Sequence, residues 1–231
     1  MLQYLMSDVV LGLEVMKDHA FVDCQALVGN ANPKVAKTEA PKSLRALFGK
    51  DEVRNSIHTS ESIEIATNEL DFFFNQGQYL NQRNCATSAL LNKCSLLLVK
   101  PHIIQSKQLG QIIDLLLTHG GFEISALQMF FLNKTTACEF LEIYKGVSPD
   151  FNQMTDYIST GGPCVAMEIR QDDAVAKLRR FCGLHDPVEA KQFNHNSLRA
   201  IFGLDKIKNA VHCTDLSEDG ILECEYFFVL L

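Results

Sequence analysis

The chain has 231 residues, of which 47% are hydrophobic and 21% are charged, and its formal net charge is −7 at pH 7. These values are typical of a globular protein with one large or two small domains, and they exclude a disordered, collagen-like or coiled-coil chain. An acidic chain without a basic run is also a poor candidate for nonspecific nucleic-acid binding.

The N-terminus is apolar, but it carries Asp8, Glu14 and Asp18 and no early lysine or arginine, which is not the pattern of a signal peptide. No apolar stretch reaches the roughly 18 residues that span a bilayer, so no membrane contact is predicted. The eight cysteines have no C-x-x-C spacing. They predict no metal site and no disulfide framework, but buried thiols of a cytoplasmic protein.

An internal repeat divides the chain. The segment Lys42–His58 reads KSLRALFGKDEVRNSIH, and Asn196–His212 reads NSLRAIFGLDKIKNAVH. The register holds without a gap from 8–74 to 162–228, and about 20 of the 67 aligned positions are identical, a level that chance does not produce at fixed register. Polar residues recur as well as apolar ones, which indicates that a functional site was inherited along with the core.

The two copies differ in completeness. Residues 1–74 correspond to the back half of a first domain, with strands predicted at about 9–15 and 55–58. A polar stretch without periodicity, 75–93, is predicted to be a linker. Residues 94–231 form a complete second copy, which begins with an apolar, strand-like run.

Hydrophobic periodicity and glycine positions predict the elements of this second copy. The predicted strands are 95–100, 122–132, 164–169 and 210–213, the predicted helices are 106–118, 135–144, 151–159, 172–181 and 217–226, and 185–197 is a long irregular loop. This order predicts an α+β, ferredoxin-like βαββαβ sandwich with additions, preceded by a truncated copy. The pairs Phe73-Phe74 and Phe227-Phe228 are expected in the core.

The truncated copy has a topological problem. In a ferredoxin-like sheet the first strand lies between the third and the fourth, and the first copy retains only the last two. Without that strand their edges are unpaired, which is costly. We therefore expect residues 1–74 not to fold alone, but to pack on the second domain or another chain, or to be poorly ordered.

Polar residues at fixed positions of the second copy resemble the signature of the nucleoside diphosphate kinase family. The family has Lys-Pro-Asp after the first strand and Asn-x-x-His-Gly-Ser-Asp late in the chain. This sequence has Lys100-Pro101-His102 and Asn209-Ala-Val-His212-Cys213-Thr214-Asp215. The resemblance covers nearly all of 94–231 and the back half of a second such domain in 8–74, as in tandem-domain members of the family.

The resemblance implies a ping-pong mechanism, in which an imidazole takes the γ-phosphate of a triphosphate and passes it to a diphosphate. A neutral imidazole is a usable nucleophile near pH 7 when an acceptor orients its second nitrogen. By position, His212 is then the nucleophile, Glu223 its orienting carboxylate, and Thr214 the hydroxyl that a serine usually provides.

The same resemblance implies a set of nucleotide contacts. Lys100, Arg179 and Arg199 would neutralise phosphate charge, which is the main requirement of phosphoryl transfer. Asn209 would bind the ribose and phosphate side, and Phe151 would stack on the base. Mg²⁺ would arrive with the ATP, so the expected ligands are nucleoside di- and triphosphates.

Several departures predict weak catalysis. A phosphate-pocket tyrosine of the family aligns with Leu141, a threonine with His185, the glycine after the nucleophile with Cys213, and the aspartate after Lys-Pro with His102. Lost hydroxyls weaken phosphate binding by about 1 kcal/mol each, and Cys213 is expected to crowd the reacting nitrogen.

The first copy is predicted to be a degenerate site. It keeps His58, Arg45, Asn55 and Glu69, but glutamine 25 stands where the second copy has an arginine.

Two functions remain open at this point. One is an active nucleoside diphosphate kinase. The other, preferred on the resemblance to tandem members, is a structural component of ciliary or flagellar axonemes or of the centrosomal γ-tubulin complex, with tubulin or axonemal proteins as partners. An open cleft at His212 would favour the enzyme, whereas a site filled by His185 or Cys213 would favour the structural component.

Overall fold

A computed structural model describes residues 6–7, 10–74 and 87–231. The chain divides into two compact units, 1–86 and 87–231. Most of the predicted linker lies outside the described residues, while its last part, 87–93, falls in the second unit. No helix within the described ranges is both long and apolar enough to cross a membrane.

The regular elements of the first unit, within its described residues, are all helices joined by irregular segments. Its helices are α1 (Ala20–Val28), α2 (Pro33–Glu39), α3 (Leu44–Phe48) and α4 (Ile63–Phe74). Between 10 and 74 no residue is in a strand, so the strands predicted at 9–15 and 55–58 are wrong where the structure describes them. The described residues of this unit include no strand that could pair with either segment, and an isolated extended segment is not stable as a strand.

The second unit is built on a four-stranded antiparallel sheet. Its strands are β1 (Cys94–Val99), β2 (Glu123–Phe130), β3 (Cys164–Arg170) and β4 (Val211–Cys213), in the spatial order β2-β3-β1-β4. The ferredoxin-like order predicted from the sequence is thus confirmed, with the first strand between the third and the fourth. β1 is buried along its whole length, which is why its sequence is a continuous apolar run.

Helices cover both faces of this sheet. They are α5 (Pro101–Gln105), α6 (Leu109–Thr118), α7 (Lys134–Phe140), α8 (Phe151–Thr160), α9 (Ala174–Cys182), α10 (Pro187–Phe193), α11 (Leu198–Phe202) and α12 (Asp219–Glu225). A short 3₁₀ turn, Glu142–Tyr144, follows α7, and a π-turn, Tyr226–Leu230, follows α12. One apolar layer packs α6, α9 and α11 on the sheet, and the other packs α7, α8 and α12.

The prediction of an irregular loop at 185–197 is wrong, because this segment contains α10. The carboxylate of Asp186 accepts a hydrogen bond from the amide of Val188 at 2.8 Å, and Pro187 is the first helical residue. An acidic N-cap followed by proline is a helix start signal. The first unit begins α2 in the same way, with Asn32 and Pro33.

Gly183 ends α9, as the sequence predicts. Its φ is +82°, in the left-handed region, and a Cβ atom there would lie 2.2 Å from the hydroxyl oxygen of Ser197. The turn therefore requires glycine for two reasons: the backbone angle is unfavourable for other residues, and there is no room for a side chain. The turn also orients the Gly183 carbonyl so that it accepts a hydrogen bond from Arg199.

Gly183→Ala is expected to lower the free energy of unfolding by about 1–3 kcal/mol, because it adds backbone strain and a steric clash. Gly110→Ala is the matched control. Gly110 lies in α6 with open space at its Cβ position, so this change should leave stability unchanged or raise it by up to about 1 kcal/mol. Urea denaturation measures both, and a Gly183→Ala variant as stable as the parent would show that the turn tolerates a side chain.

Candidate active site

His212 is held by a chain of hydrogen bonds from its ring to the central strand. Its Nε2 lies 3.1 Å from Oε2 of Glu223, on α12. The Thr214 hydroxyl donates to the same oxygen at 2.9 Å and accepts from the amide of Leu96 at 3.0 Å. Because a carboxylate only accepts hydrogen bonds, the neutral ring carries its proton on Nε2 and its lone pair on Nδ1. The structure thus brings together the three predicted catalytic residues.

The ring of His212 lies in a nearly closed site. Its side chain is 7% exposed, and the ring of Phe140 lies 4.9 Å away, edge to face. Nδ1 has no hydrogen-bond partner among the described residues. The nitrogen with the lone pair is therefore the one that is not engaged by the protein.

Cys213 does not crowd this nitrogen, contrary to the sequence-based expectation. Successive residues of a strand point to opposite faces, and the side chain of Cys213 joins the opposite apolar layer with Val211 and Cys182. Its sulfur lies 3.7 Å from Nη2 of Arg199. The hydrogen bond from Cys182, together with the arginine charge, lowers the pKa of the Cys213 thiol.

Arg199 and Lys100 are both buried beside the site and bound to main-chain carbonyls. Arg199 donates to the carbonyl of Gly183 at 2.7 Å and, through Nε and Nη2, to that of Val211 at 3.3 and 3.2 Å. Nζ of Lys100 donates to the carbonyl of Ile207 at 2.8 Å. Burial, and next the charge of Arg199, lowers the pKa of Lys100 to about 7.

His185 lies beside these groups, with its ring partly enclosed although the residue as a whole is exposed. The amide nitrogen of Asn209 donates to the His185 carbonyl at 3.0 Å and lies 3.3 Å from its Nδ1, while Oδ1 of Asn209 is buried without a partner among the described residues. Burial, followed by the positive charges of Arg199 and Lys100, lowers the pKa of His185 to about 4. A neutral imidazole thus occupies the position where the resemblance implies a phosphate-binding threonine.

Arg179 joins the site through Asp215. It donates to the main-chain carbonyl of Asp215 at 2.8 Å, and its Nη2 lies 3.5 Å from the carboxylate. The hydroxyl of Tyr144 donates to the other carboxylate oxygen. Burial, reinforced by this carboxylate, holds the pKa of Tyr144 well above its usual range. Sequence reasoning missed Tyr144, although it lies three residues after Leu141, where the resemblance implies a tyrosine.

The remaining predicted residues lie at the edge of this arrangement. Phe151 is the first residue of α8 and packs partly buried in the apolar layer that α8 shares with α7 and α12. Leu141 is buried in the same layer. Nδ1 of His102 lies 2.8 Å from the hydroxyl of Tyr157. The stacking role of Phe151 stays a prediction.

The first unit repeats most of the side-chain hydrogen bonds that the second unit makes around Arg199, Asn209 and His212. Arg45 donates to the carbonyls of Gly29 and Ile57 at 2.8 and 3.0 Å, at the positions that correspond to Gly183 and Val211. The amide of Asn55 donates to the carbonyl of residue 31 at 3.2 Å, as Asn209 does to His185. Nε2 of His58 lies 2.7 Å from Oε1 of Glu69.

This copy is open where the second is closed. The side chain of His58 is 70% exposed, and a cavity of about 710 Å³ is lined by Arg45, Asn55 and His58. Ala31 stands where the second unit has His185, so the imidazole that contacts Asn209 in the second unit has no counterpart at this position of the repeat.

One buried cluster has side chains of the types that bind metal ions, two thiols and a carboxylate. One ligand atom each of Cys94, Glu168 and Cys224 lies within 4.8 Å of the others. The Glu168 carboxylate, however, already accepts hydrogen bonds from the amides of Leu90 and Leu91 at 2.8 and 2.6 Å, and one from a serine hydroxyl. These donors explain its burial without an ion.

The sequence profile of the nucleoside diphosphate kinase family matches residues 1–79 and 93–230. The chain belongs to the nucleoside diphosphate kinase family, as its motifs predicted. Within it, the chain is similar to nucleoside diphosphate kinase homolog 7 of Rattus norvegicus, with 41% identity over 231 residues, which is 100% of this chain and 57% of the relative.

Single-domain relatives match the second copy. The nucleoside diphosphate kinase of Aquifex aeolicus is 36% identical over 134 residues, 58% of this chain and 92% of that protein. Its crystal structure superposes with a TM-score of 0.55 and covers 60% of this chain and 96% of that one. By contrast, the chain spans little more than half the length of the rat and mouse homolog 7 proteins.

The lowered pKa of Lys100 predicts a pH dependence of stability. Between pH 7 and about 10.5 the unfolded chain binds a proton at Lys100 that the folded chain does not bind. The free energy of unfolding therefore increases as the pH rises through this range. Lys100→Met removes this contribution. The stability of the parent relative to the variant should therefore increase from about pH 7 to pH 10, measured by urea denaturation. A difference that does not change with pH would contradict the assignment of a buried, neutral Lys100.

Proposed function

We propose that the second unit transfers the γ-phosphoryl group of a nucleoside triphosphate to a nucleoside diphosphate through His212. The observation that carries this proposal is the hydrogen-bond chain from Nε2 of His212 through Glu223 and Thr214 to β1. It favours the tautomer with a lone pair on Nδ1, which is the requirement for nucleophilic attack near neutral pH.

In the first half-reaction, Nδ1 of His212 attacks the γ-phosphorus while the bond from that phosphorus to the β,γ-bridging oxygen breaks. The diphosphate leaves with the bond electrons, and the carboxylate of Glu223 stabilises the positive charge that develops on the ring. A second diphosphate then attacks the phosphohistidine with its terminal oxygen, and the nitrogen recovers its lone pair. Mg²⁺ enters with the triphosphate as part of the substrate.

The cations around His212 would supply the electrostatic stabilisation of the transferred group. Arg179 is half exposed, and its bond to Asp215 leaves donors for a phosphate. Lys100 would regain its charge beside a phosphate, because a nearby anion favours the protonated amine. Arg199 is bound to two carbonyls, so its contribution is mainly to fix the loop around the site.

We expect residue 185 to limit this activity, because an imidazole beside Asn209 stands where the first unit has Ala31. His185→Ala is expected to raise the initial rate of transfer several-fold, since the hydrogen bond from Asn209 goes to the main chain of residue 185 and survives the change. The matched control is His195→Ala, which removes an exposed histidine from the same region and should leave the rate unchanged. A His185→Ala rate at or below the parent rate would show that residue 185 does not obstruct the site.

The activity should reside in the second copy only. His212→Ala should lower acid-labile phosphorylation by γ-labelled ATP by at least about 1,000-fold, because it removes the attacking atom. His58→Ala should retain the label, since His58 lies exposed and Gln25 stands where the second copy has Arg179. The reverse pattern would assign the reaction to the first copy.

An axonemal or centrosomal role, with tubulin or axonemal partners, remains a prediction from the resemblance, and no observation on the described fold or site favours it. Co-sedimentation with microtubules tests it independently of catalysis. Binding that persists in His212→Ala would support a structural role, and failure of both parent and variant to bind would argue against tubulin as the partner.

A further inference from the structure

Within the described range 87–231, two pairs of buried thiols lie outside the phosphoryl-transfer mechanism. Cys182, the last residue of α9, and Cys213, of β4, belong to one apolar layer, and the thiol of Cys182 donates a hydrogen bond to the sulfur of Cys213. Cys94, of β1, and Cys224, of α12, form the other pair, and their sulfur atoms lie within 4.8 Å of each other. Each pair thus brings together two free thiols from separate elements.

The charged groups beside the two pairs have opposite signs. Nη2 of Arg199 donates to the sulfur of Cys213 at 3.7 Å. A carboxylate oxygen of Glu168, by contrast, lies within 4.8 Å of the sulfur atoms of Cys94 and Cys224. A nearby cation stabilises a thiolate, whereas a nearby anion opposes its formation. Of these four thiols, Cys213 is therefore the one whose surroundings favour loss of the proton.

The pKa values agree with this arrangement. The hydrogen bond from Cys182, and more weakly the charge of Arg199, lowers the pKa of the Cys213 thiol although burial opposes the change. Burial, and next the hydrogen bond that it donates, raises the pKa of Cys182 well above its usual range. The hydrogen bond with Cys94, and next burial, raises that of Cys224. The first pair thus combines a thiolate with a protonated thiol, which is the combination that oxidation to a disulfide requires.

The first unit keeps the arginine but neither thiol of this pair. Val28 and Thr59 stand at the positions of Cys182 and Cys213. Arg45 nevertheless makes the same two kinds of main-chain contact as the arginine of the second unit. The arginine contacts therefore do not depend on the sulfur atoms, and a different reason is needed for two thiols at these positions.

We propose that Cys182 and Cys213 form a disulfide when the protein is exposed to hydrogen peroxide. In the first step the thiolate of Cys213 attacks one peroxide oxygen, the O–O bond breaks and hydroxide leaves, which produces a sulfenic acid. In the second step the sulfur of Cys182 attacks the sulfur of Cys213, the S–O bond breaks, and the oxygen leaves as water with the Cys182 proton. Two sulfur atoms are oxidised and one peroxide is reduced.

Burial selects the oxidant. Cys182 is 0% exposed and Cys213 is 2% exposed, so a bulky disulfide such as oxidised glutathione does not reach either sulfur in the folded chain. Hydrogen peroxide is similar to water in size and requires only a small local opening. The pair is therefore expected to respond to peroxide and not to disulfide exchange.

The disulfide would join the same two segments that Arg199 connects. Cys182 precedes Gly183, whose carbonyl accepts a hydrogen bond from Arg199, and Cys213 follows His212. A covalent bond that closes the chain between 182 and 213 restricts the unfolded state. Oxidation should therefore stabilise the second unit and fix the main chain beside His212.

The experiment treats the full 231-residue chain with hydrogen peroxide, removes the oxidant with catalase, blocks the remaining thiols in denaturant and identifies linked peptides by mass spectrometry. A Cys182–Cys213 linkage should form at least about tenfold faster than a Cys94–Cys224 linkage. Oxidised glutathione should produce less than about a tenth of the peroxide yield. The urea midpoint of the oxidised chain should increase by about 1 M, and dithiothreitol in the urea solutions should abolish this increase.

Two variants separate the roles of the thiols. Cys182→Val and Cys213→Thr are matched to the fold, because the first unit carries valine and threonine at these positions. Cys182→Val should leave a sulfenic acid on Cys213 that dimedone labels, because the second thiol is absent. Cys213→Thr should leave Cys182 unoxidised, because its thiol stays protonated.

Several results would overturn the proposal. They are no linkage of Cys182 to Cys213, a Cys94–Cys224 linkage that forms as fast, and preferential pairing of either thiol with a different cysteine. A sulfenic acid that persists on Cys213 in the parent chain would show that the two thiols cannot bond. Equal oxidation by glutathione disulfide, or a lower urea midpoint after oxidation, would also contradict it. None of these outcomes depends on phosphoryl transfer at His212.

Discussion

A buried arginine that binds the main-chain carbonyls of two separate segments holds the site together. Arg199 connects the end of α9, at Gly183, to β4, at Val211, and so fixes the residue next to the nucleophile. Bonds from a charged donor are the strong ones, and removing this donor would leave buried carbonyls unpartnered. Arg45 makes the same connection in the first unit, whose described residues form no sheet. These arginine bonds therefore form within one short segment of chain, which runs from the end of a helix to the histidine. They do not require the sheet.

What the sheet adds is burial and charge. In the second unit β1 brings Lys100 to the site, supplies the amide that orients Thr214, and closes the space under α12. Burial of the side chain, and next the charge of Arg199, lowers the pKa of both Lys100 and His185. The first unit keeps the histidine, the carboxylate and the arginine, but its histidine faces solvent. The two copies thus separate two requirements of this chemistry, the orientation of the imidazole and its enclosure with cations.

The sequence predicted correctly those features that depend on residues close together in the chain. The apolar run at 94–99, the repeat and the motif at Asn209–Asp215 were enough to predict the sheet order and the hydrogen-bonded group at His212. It failed where the outcome depends on distant partners. Phe73 and Phe227 occupy the same position of the repeat, yet only the second is buried, because burial requires a strand that lies far away in sequence. The crowding predicted at Cys213 was wrong because strand alternation turns its side chain into the opposite layer.

The central claim is that Nδ1 of His212 carries the phosphoryl group, because Glu223 holds Nε2. Nuclear magnetic resonance of ¹⁵N-histidine-labelled protein after incubation with ATP and Mg²⁺ tests it most directly, since phosphorus–nitrogen coupling distinguishes the two ring nitrogens. We expect one phosphohistidine, on Nδ1 of His212, that disappears when a nucleoside diphosphate is added. Phosphate on Nε2, phosphate on His58, or a phosphohistidine that diphosphate cannot discharge would contradict the claim.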